Sequence, residues 1–185
     1  MGGHHLILGK IQDIVTGETI DDTHDERYRQ QIARRLVETL GYEKSEIRGR
    51  IPLEVRAQQK LARIRIDWVV ILNERMVMVI KYGPGSIVTR HRPALAASRV
   101  LAPYQIPIVV VTNGRDADIL DGVTGKITGS GLDAIPAKTE LLLRWPEFSF
   151  SSVSPDRAEK ESCLLYAYEV DDACPCDEDI CRLKS

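Results

Sequence analysis

Asp67 and Lys81 are the residues of this chain whose types and setting point most directly to chemistry. Asp67 lies inside the apolar run RIRIDWVVIL (63–72), and Lys81 lies near the end of the apolar run MVMVIKY (76–82), just before a Gly-Pro-Gly turn. A carboxylate inside an apolar strand is costly unless a partner satisfies it. Converging carboxylates can hold Mg²⁺, and a nearby lysine can stabilise developing negative charge. The pair therefore indicates metal-dependent phosphodiester hydrolysis as one candidate chemistry.

A β-hairpin over 63–82 is the element that must bring these two residues together. The first run alternates between polar and apolar residues as far as Asp67, and the second is apolar on both faces, as in a buried central strand. Residues two apart on a strand share a face. We therefore expect Val77, Val79 and Lys81 to point to the same side of the sheet.

A helix that begins near Thr23 is the second element of the predicted site. Thr23 and Glu26 have the spacing of a capping box. An apolar stripe recurs every four residues along this helix, at Tyr28, Ile32, Leu36 and Leu40. At about 100° per residue, Arg29 projects along this stripe and Glu26 along its edge, so both need partners. Arg29 and Arg65 are the two candidates to pair with Asp67.

The remaining segments predict an α/β fold. A short helix is expected over 92–102, and the β-branched run 106–114 is expected to form a core strand parallel to its predecessor across that helical crossover. One more short strand is predicted near 116–122, and helices over 135–145 and 155–170. This order of elements indicates an α/β sandwich with a central mixed sheet.

Composition places the chain among ordinary globular proteins. Its 185 residues are 43% hydrophobic and 28% charged, with a net charge of −2. We divide it into an N-terminal arm (1–22), a core (23–150) and a C-terminal helix with a cysteine-rich tail (151–185). No apolar run approaches the roughly 18 residues of a membrane span, and the N-terminus lacks the pattern of a signal peptide. We therefore expect a cytoplasmic protein with no membrane partner and no structural disulfides.

Two groups of basic residues flank the predicted site. One group comprises Arg48, Arg50, Arg56, Lys60, Arg63 and Arg65; the other comprises Arg90, His91 and Arg92. Phosphates of nucleic acids attract such groups, and the binding weakens with salt. We take Arg29, Arg65, Arg90 and Arg92 as the candidate nucleic-acid contacts. The plainer alternative is a solvated surface, because acidic residues elsewhere cancel the charge.

Four cysteines lie close together near the C-terminus. They are Cys163, Cys174, Cys176 and Cys181. In a reducing compartment such crowding suggests a soft metal, either Zn²⁺ or an iron–sulfur cluster. The spacing Cys-Pro-Cys-x4-Cys is not that of common zinc fingers. The alternatives are that these cysteines are reduced thiols or form a redox-active pair. Cys163 also has a plainer explanation as an ordinary core residue.

Four stretches of the chain carry a resemblance to a known family. They are TGETIDDTHDERYRQQIARRLVETLGY, RIDWVVIL, VIKYGPGS and IPIVVVTNG. The segment from about 16 to 145 resembles the N-terminal nuclease-like domain of type I restriction enzyme R subunits. It resembles more closely the small stand-alone proteins related to that domain, within the PD-(D/E)XK nuclease-like superfamily. The resemblance implies a restriction-endonuclease-like α/β/α sandwich with a central mixed sheet.

The resemblance also implies roles for individual residues. Asp67 matches the motif aspartate, Lys81 the motif lysine, and Glu26 the helical glutamate often placed beside the metal. The middle carboxylate of the motif falls on Val79, which cannot ligate a metal. Glutamates migrate between elements in this superfamily, and Glu26 is the first candidate for the substitute. Two weaker candidates are Glu54 and Glu74. Glu26 also has a plainer explanation as a helix cap, and Lys81 as a strand end.

Two functions remain open at this point. The first is a nucleic-acid-acting protein, on DNA by resemblance, that cuts with Mg²⁺ held by Asp67 and Glu26 and with Lys81 assisting. The second is a non-catalytic descendant that binds DNA or a protein and carries a Zn²⁺ or iron–sulfur tail on its cysteines. A metal or redox sensor centred on the tail is a third possibility. The chain shows no phosphate-binding Gly-rich Lys-Ser/Thr loop, so any motor or specificity subunit is expected to be a separate chain.

Overall fold

A mixed β-sheet lies at the centre of the structure. The computed structural model describes residues 6–171 and the backbone of residues 181–183. The strands are β1 (Gly9–Gln12), β2 (Thr19–Asp22), β3 (Ile47–Ala57), β4 (Lys60–Leu72), β5 (Arg75–Tyr82), β6 (Ile108–Thr112), β7 (Ala117–Asp121), β8 (Ile127–Ser130) and β9 (Cys181–Leu183). The α-helices are α1 (His24–Glu38), α2 (His91–Val100), α3 (Lys138–Leu143) and α4 (Pro155–Tyr166).

The main sheet follows the order β3-β4-β5-β6-β7-β8. Strands β5 and β6 are parallel across the crossover helix α2, whereas their neighbours pair antiparallel. Strand β9 pairs antiparallel with Leu61, Ala62 and Arg63 of β4, beyond the part of β4 that β5 covers. The predicted mixed sheet and the parallel strand over 106–114 are both confirmed.

Helices cover both faces of this sheet and create two cores. Helices α1 and α3 pack through Leu36 and Leu141 against one face, in a core that contains Trp68. Helices α2 and α4 pack through Ala96 and Leu165 against the other. The chain is therefore an α/β/α sandwich with a central mixed sheet, as predicted. No helix among residues 6–171 is long and apolar enough to cross a membrane.

The hairpin β4–β5 forms as predicted, with one irregularity that the sequence pattern did not show. Its turn residues Asn73 and Glu74 both have positive φ (47° and 62°), as two-residue hairpin turns require. Val70 pairs with Met78 but Ile71 pairs with Met76, so Val77 is an extra residue in β5. Val77 consequently packs in the α1–α3 core, whereas Val79 packs in the α2–α4 core. The prediction that Val77 and Val79 share a face is wrong.

Strand β3 is the main element that the sequence analysis missed. Its 11 residues form the edge of the sheet, where Pro52 is tolerated because its missing N–H would face outward. Gly49 lies against Trp68 so closely that a Cβ atom there would lie 2.2 Å from Trp68 Cζ3. Arg50 has a positive φ of 50°. These interruptions hide the strand pattern. The short strand β8 was missed as well.

The ends of the chain also differ in detail from the predictions. The N-terminal arm contains the antiparallel pair β1–β2. Thr23 caps α1 by accepting a hydrogen bond from Glu26 N (3.1 Å), as predicted. The helix predicted over 135–145 contains only α3 and short 3₁₀ turns, and the helix predicted over 155–170 is α4 continued by a π-helical segment, Ala167–Asp171.

Candidate active site at the Asp67–Lys81 pair

Asp67 and Lys81 lie side by side where β4 and β5 begin to separate. The last paired residues of the ladder are Trp68 and Ile80, so one further step places Asp67 opposite Lys81. The backbone N–H of Tyr82 donates to Asp67 Oδ2 over 2.8 Å, which fixes that carboxylate against β5. Asp67 is 9% exposed and Lys81 is 5% exposed. The structure thus brings together the two residues that the sequence analysis placed first.

Arg29 is the charged partner of Asp67. Its Nε donates to Asp67 Oδ1 over 2.7 Å. The guanidinium also lies over the ring of Tyr82, 5.2 Å from its centroid. The Tyr82 hydroxyl in turn donates to Asp25 Oδ1 (2.9 Å). Burial raises the pKa of Tyr82, and the hydrogen bond to Asp25 raises it further, so this phenol stays protonated at neutral pH.

Glu26 belongs to a polar network between α1, the N-terminal arm and β3. Glu26 Oε1 accepts from Arg50 Nη2 (2.7 Å) and from Gln30 Nε2 (2.9 Å). The same two side chains donate to Asp13 Oδ2, over 2.6 and 3.0 Å. Arg29 Nη1 lies 3.8 Å from Glu26 Oε2. The guanidinium of Arg29 therefore bridges the two acidic residues, Asp67 and Glu26, that were predicted to bind one metal.

The electrostatics of this network favour charged groups. Burial would raise the pKa of Asp13, but hydrogen bonds from the Thr16 backbone N–H, Arg50 and Gln30 outweigh it and lower that pKa. Burial would lower the pKa of Arg50, yet its contacts with Asp13 and Glu26 raise it. The network therefore ties the N-terminal arm to the rest of the protein through the ion pair between Asp13 and Arg50.

Glu169 is a site residue that the sequence analysis did not find. Lys81 Nζ donates to Glu169 Oε2 over 2.9 Å, and the two side chains are 7% and 18% exposed. Glu169 lies in the π-helical segment Ala167–Asp171 that follows α4. The contact joins residues 88 positions apart, so no local spacing signals it.

The other positions considered for a carboxylate are placed away from Lys81. Val79 is fully buried in the α2–α4 core and offers no ligand atom. Glu54 Oε1 accepts from Arg63 Nη2 (3.0 Å) on the long hairpin β3–β4. Glu74 lies in the turn at the opposite end of β5.

The predicted nucleic-acid contacts occupy different settings. Arg65 is exposed on β4. Arg90 packs against Gly83, where an added Cβ would lie 2.3 Å from Arg90 Nε. Arg92 Nη1 lies 2.6 Å from Glu161 Oε2 and so ties α2 to α4. Arg29, the fourth of these residues, pairs with Asp67. A role of the four arginines in contacting DNA remains a prediction.

Whether the site suits a metal ion depends on the oxygen ligands that its side chains offer. No three His, Cys, Asp or Glu side chains of the described part of the chain come together as a metal site. Glu169 pairs with Lys81, and Asp67 accepts from the backbone N–H of the next residue, Tyr82. A carboxylate has about four lone-pair sites, and each of these two carboxylates has acceptor capacity beyond its hydrogen bonds here. Mg²⁺ is commonly held by one or two carboxylates and several waters, so the donor chemistry fits that ion.

The predicted cysteine site lies mostly outside the described residues. Cys163 is partly buried on α4 and is unpaired with respect to the described residues. Cys181 is described only by its backbone, in β9, and Cys174 and Cys176 lie outside the described residues. The zinc or iron–sulfur site therefore remains a prediction.

Comparison with known proteins gives one match. Residues 24–136 match the family described as type I restriction enzyme R protein N terminus (HSDR_N). The matched stretch contains Glu26, Asp67 and Lys81 and ends before Glu169. No curated protein and no solved structure matches the chain.

Proposed function

The chain belongs to the type I restriction enzyme R protein N-terminal family, and from this premise we propose that it acts on DNA as a metal-dependent phosphodiesterase. The observation that carries the proposal is the contact region between β4 and β5, where Asp67 and Lys81 are buried side by side. Buried ionisable groups held together in this way are common at functional sites.

Each residue has a definite role in this proposal. Asp67 would hold Mg²⁺, and Glu26 is the second ligand that the sequence predicted. Bound Mg²⁺ would polarise the phosphate and make an attacking water more acidic. Lys81 would place its ammonium beside the phosphate and offset the negative charge that develops there. Arg29 and the Tyr82 N–H hold the carboxylate of Asp67 in a fixed orientation.

DNA is the proposed substrate, with phosphate contacts from Arg65, Arg90 and Arg92 and with Arg29 at the site itself. These contacts position a duplex without reading its sequence. Cutting at defined sites would then need a separate motor or specificity chain.

A non-catalytic DNA- or protein-binding role is the second candidate. It is favoured by one feature: each acidic residue predicted to bind metal already has an arginine partner, Arg29 on Asp67 and Arg50 on Glu26. Such pairs neutralise the carboxylates without a metal. In this role the site would be a structural remnant, and the phosphate-binding arginines would remain.

Cleavage assays with matched variants test the proposal. Supercoiled, linear and single-stranded DNA are incubated with Mg²⁺ or Mn²⁺ and the wild type, Asp67→Ala or Lys81→Ala. Asp156→Ala on α4 and the exposed Lys126→Ala serve as controls. We expect cutting by the wild type and both controls, and its loss in both site variants. Salt-dependent DNA binding without cutting would support the second candidate.

We also propose that the cysteine-rich tail binds a metal through Cys163, Cys174, Cys176 and Cys181. The measurement is the zinc and iron content of protein purified without oxygen, beside a variant with Cys174 and Cys176 changed to Ser. About one zinc per chain, or about two to four irons, that the variant loses supports the proposal. A metal-free wild type contradicts it.

A further inference from the structure

We infer that Glu169 is the second carboxylate of the site, supplied by the C-terminal segment in place of the ligand that Val79 cannot provide. This inference rests on the proposed function. Glu26, Glu54 and Glu74, the candidates for a displaced carboxylate in the sequence, all precede Lys81. The structure brings one from the opposite end of the chain, 88 residues later.

The burial of Lys81 makes its contact with Glu169 informative. Exposed ion pairs are common and contribute little. Lys81, however, is only 5% exposed in a strand of apolar residues, and Glu169 reaches it over 2.9 Å. A buried ammonium needs a counter-charge, and here the carboxylate of Glu169 supplies it. Glu169 is therefore the carboxylate that pairs with Lys81, which lies opposite Asp67 on the neighbouring strand.

Glu169 is better suited to share a cation with Asp67 than Glu26 is. Glu26 Oε1 already accepts from both Arg50 and Gln30. Arg29 also stands between Glu26 and Asp67, with Nε 2.7 Å from Asp67 Oδ1 and Nη1 3.8 Å from Glu26 Oε2. A cation held between Glu26 and Asp67 would therefore have to displace this guanidinium. Lys81, by contrast, is an ammonium on a flexible stem that can turn away from Glu169.

The segment that carries Glu169 is firmly anchored. The neighbouring Val170 is fully buried in the α2–α4 core, as is Leu165 in the last turn of α4. Within α4, Glu161 contacts Arg99 (2.8 Å) and Arg92 (2.6 Å) of α2. A side chain on a rigid element can hold a ligand position precisely. This segment lies outside the 24–136 stretch that matches the family.

Binding of Mn²⁺, followed by the electron paramagnetic resonance signal of the free ion, tests the inference without relying on activity. The samples are the wild type, Glu169→Gln, Asp67→Asn and the control Glu159→Gln, an exposed glutamate of α4. We expect Glu169→Gln and Asp67→Asn each to weaken binding at least about tenfold, because even partners outside the coordination shell are worth about 10–100-fold. Glu159→Gln should bind as the wild type does.

One indirect effect needs its own control. Glu169→Gln leaves the ammonium of Lys81 without its counter-charge, and that charge alone would repel Mn²⁺. The same change is therefore made in a Lys81→Met background. If Glu169 is a ligand, Glu169→Gln weakens binding there as well, and Lys81→Met alone binds Mn²⁺ more tightly than the wild type. If Glu169 only neutralises Lys81, the effect disappears in this background.

The outcomes separate this inference from the proposed function. Wild-type affinity in Glu169→Gln, a loss that disappears with Lys81→Met, or no Mn²⁺ binding by the wild type would each overturn the inference. DNA cutting is measured on the same samples. Cutting that needs Asp67 and Lys81 but not Glu169 would keep the proposed function and reject the inference. Mn²⁺ binding that needs Asp67 and Glu169, without cutting, would keep the inference and reject catalysis.

Discussion

The guanidinium of Arg29 lies 2.7 Å from Oδ1 of Asp67, across 38 positions of sequence, and joins helix α1 to the hairpin that carries the site. Arg29 is partly exposed at 23% of its side chain, whereas Asp67 is buried. Asp67 thus keeps a cationic partner in the absence of metal. Any metal that binds there must share the carboxylate with Arg29 or displace it.

Removal of Arg29 should destabilise the fold by leaving Asp67 buried without its cation. We expect Arg29→Met to lower the free energy of unfolding by about 2–3 kcal/mol, less than for a fully buried pair because Arg29 is partly exposed. Asp67→Asn in the same background should recover much of that loss. Urea unfolding of the four members of this double-mutant cycle measures both effects. Additive losses from the two substitutions would show that the pair is not coupled.

Asp13 should make stability depend on pH in the acid range. Hydrogen bonds lower its pKa below the ordinary 3.8, despite the opposing effect of burial. A pKa that is lower in the folded state gives stability that is present above about pH 4 and lost as pH falls through the folded-state pKa. Asp13→Asn should therefore lose more stability at about pH 6 than at about pH 3. Urea unfolding at both pH values checks this, and an equal difference at the two would contradict it.

Gly49 should not tolerate a side chain. A Cβ at this position would lie 2.2 Å from Trp68 Cζ3, and the indole is fully buried. We expect Gly49→Ala to cost about 2–3 kcal/mol of unfolding free energy, the range for overpacking a core. Trp68→Phe in the same chain should relieve most of the cost by removing the clashing atom. Thermal unfolding of the single and double variants compares them, and a neutral Gly49→Ala would refute the close packing.

A carboxylate introduced at Val79 should enter the apolar α2–α4 core. We expect Val79→Glu to destabilise the protein by about 3 kcal/mol at neutral pH, because burial penalises the charged form. The folded-state pKa of the new carboxyl would be raised, so part of the deficit should disappear as pH falls through it. Val79→Gln is the control, since it should lose stability without that pH dependence. Equal pH profiles for the two variants would show that the glutamate escapes the core.

The parts of the fold that follow local rules were predictable. The cap of Thr23 on α1, the hairpin around Asn73 and Glu74, and the parallel β6 each have a short-range pattern of capping, alternation or β-branching. Strand β3 has no such pattern, because Gly49 and Pro52 break the alternation and only its position at the sheet edge makes both acceptable. The extra residue Val77 also has no recognisable sequence pattern, because the apolar residues on both sides of it hide the shift in strand register.

The residues of the candidate site likewise include some that the sequence made recognisable and one that it did not. Asp67 and Lys81 were visible because charged residues stand out in apolar strands, and Arg29 because it projects along the core-facing stripe of α1. Glu169 gave no such signal. Its contact with Lys81 spans 88 positions of the chain, and the packing of the segment after α4 on the α2–α4 core determines where it lies.

The distance along the chain between Lys81 and Glu169 also has a consequence for synthesis. A ribosome adds about 5–20 residues per second, so the 88 residues between them take roughly 4–18 s to make. During that interval the hairpin β4–β5 can form with Asp67 beside Lys81, while the ammonium has not yet met its carboxylate. The nascent protein therefore passes through a stage with an incomplete charge balance at the site, and translation of α4 and the segment behind it ends that stage.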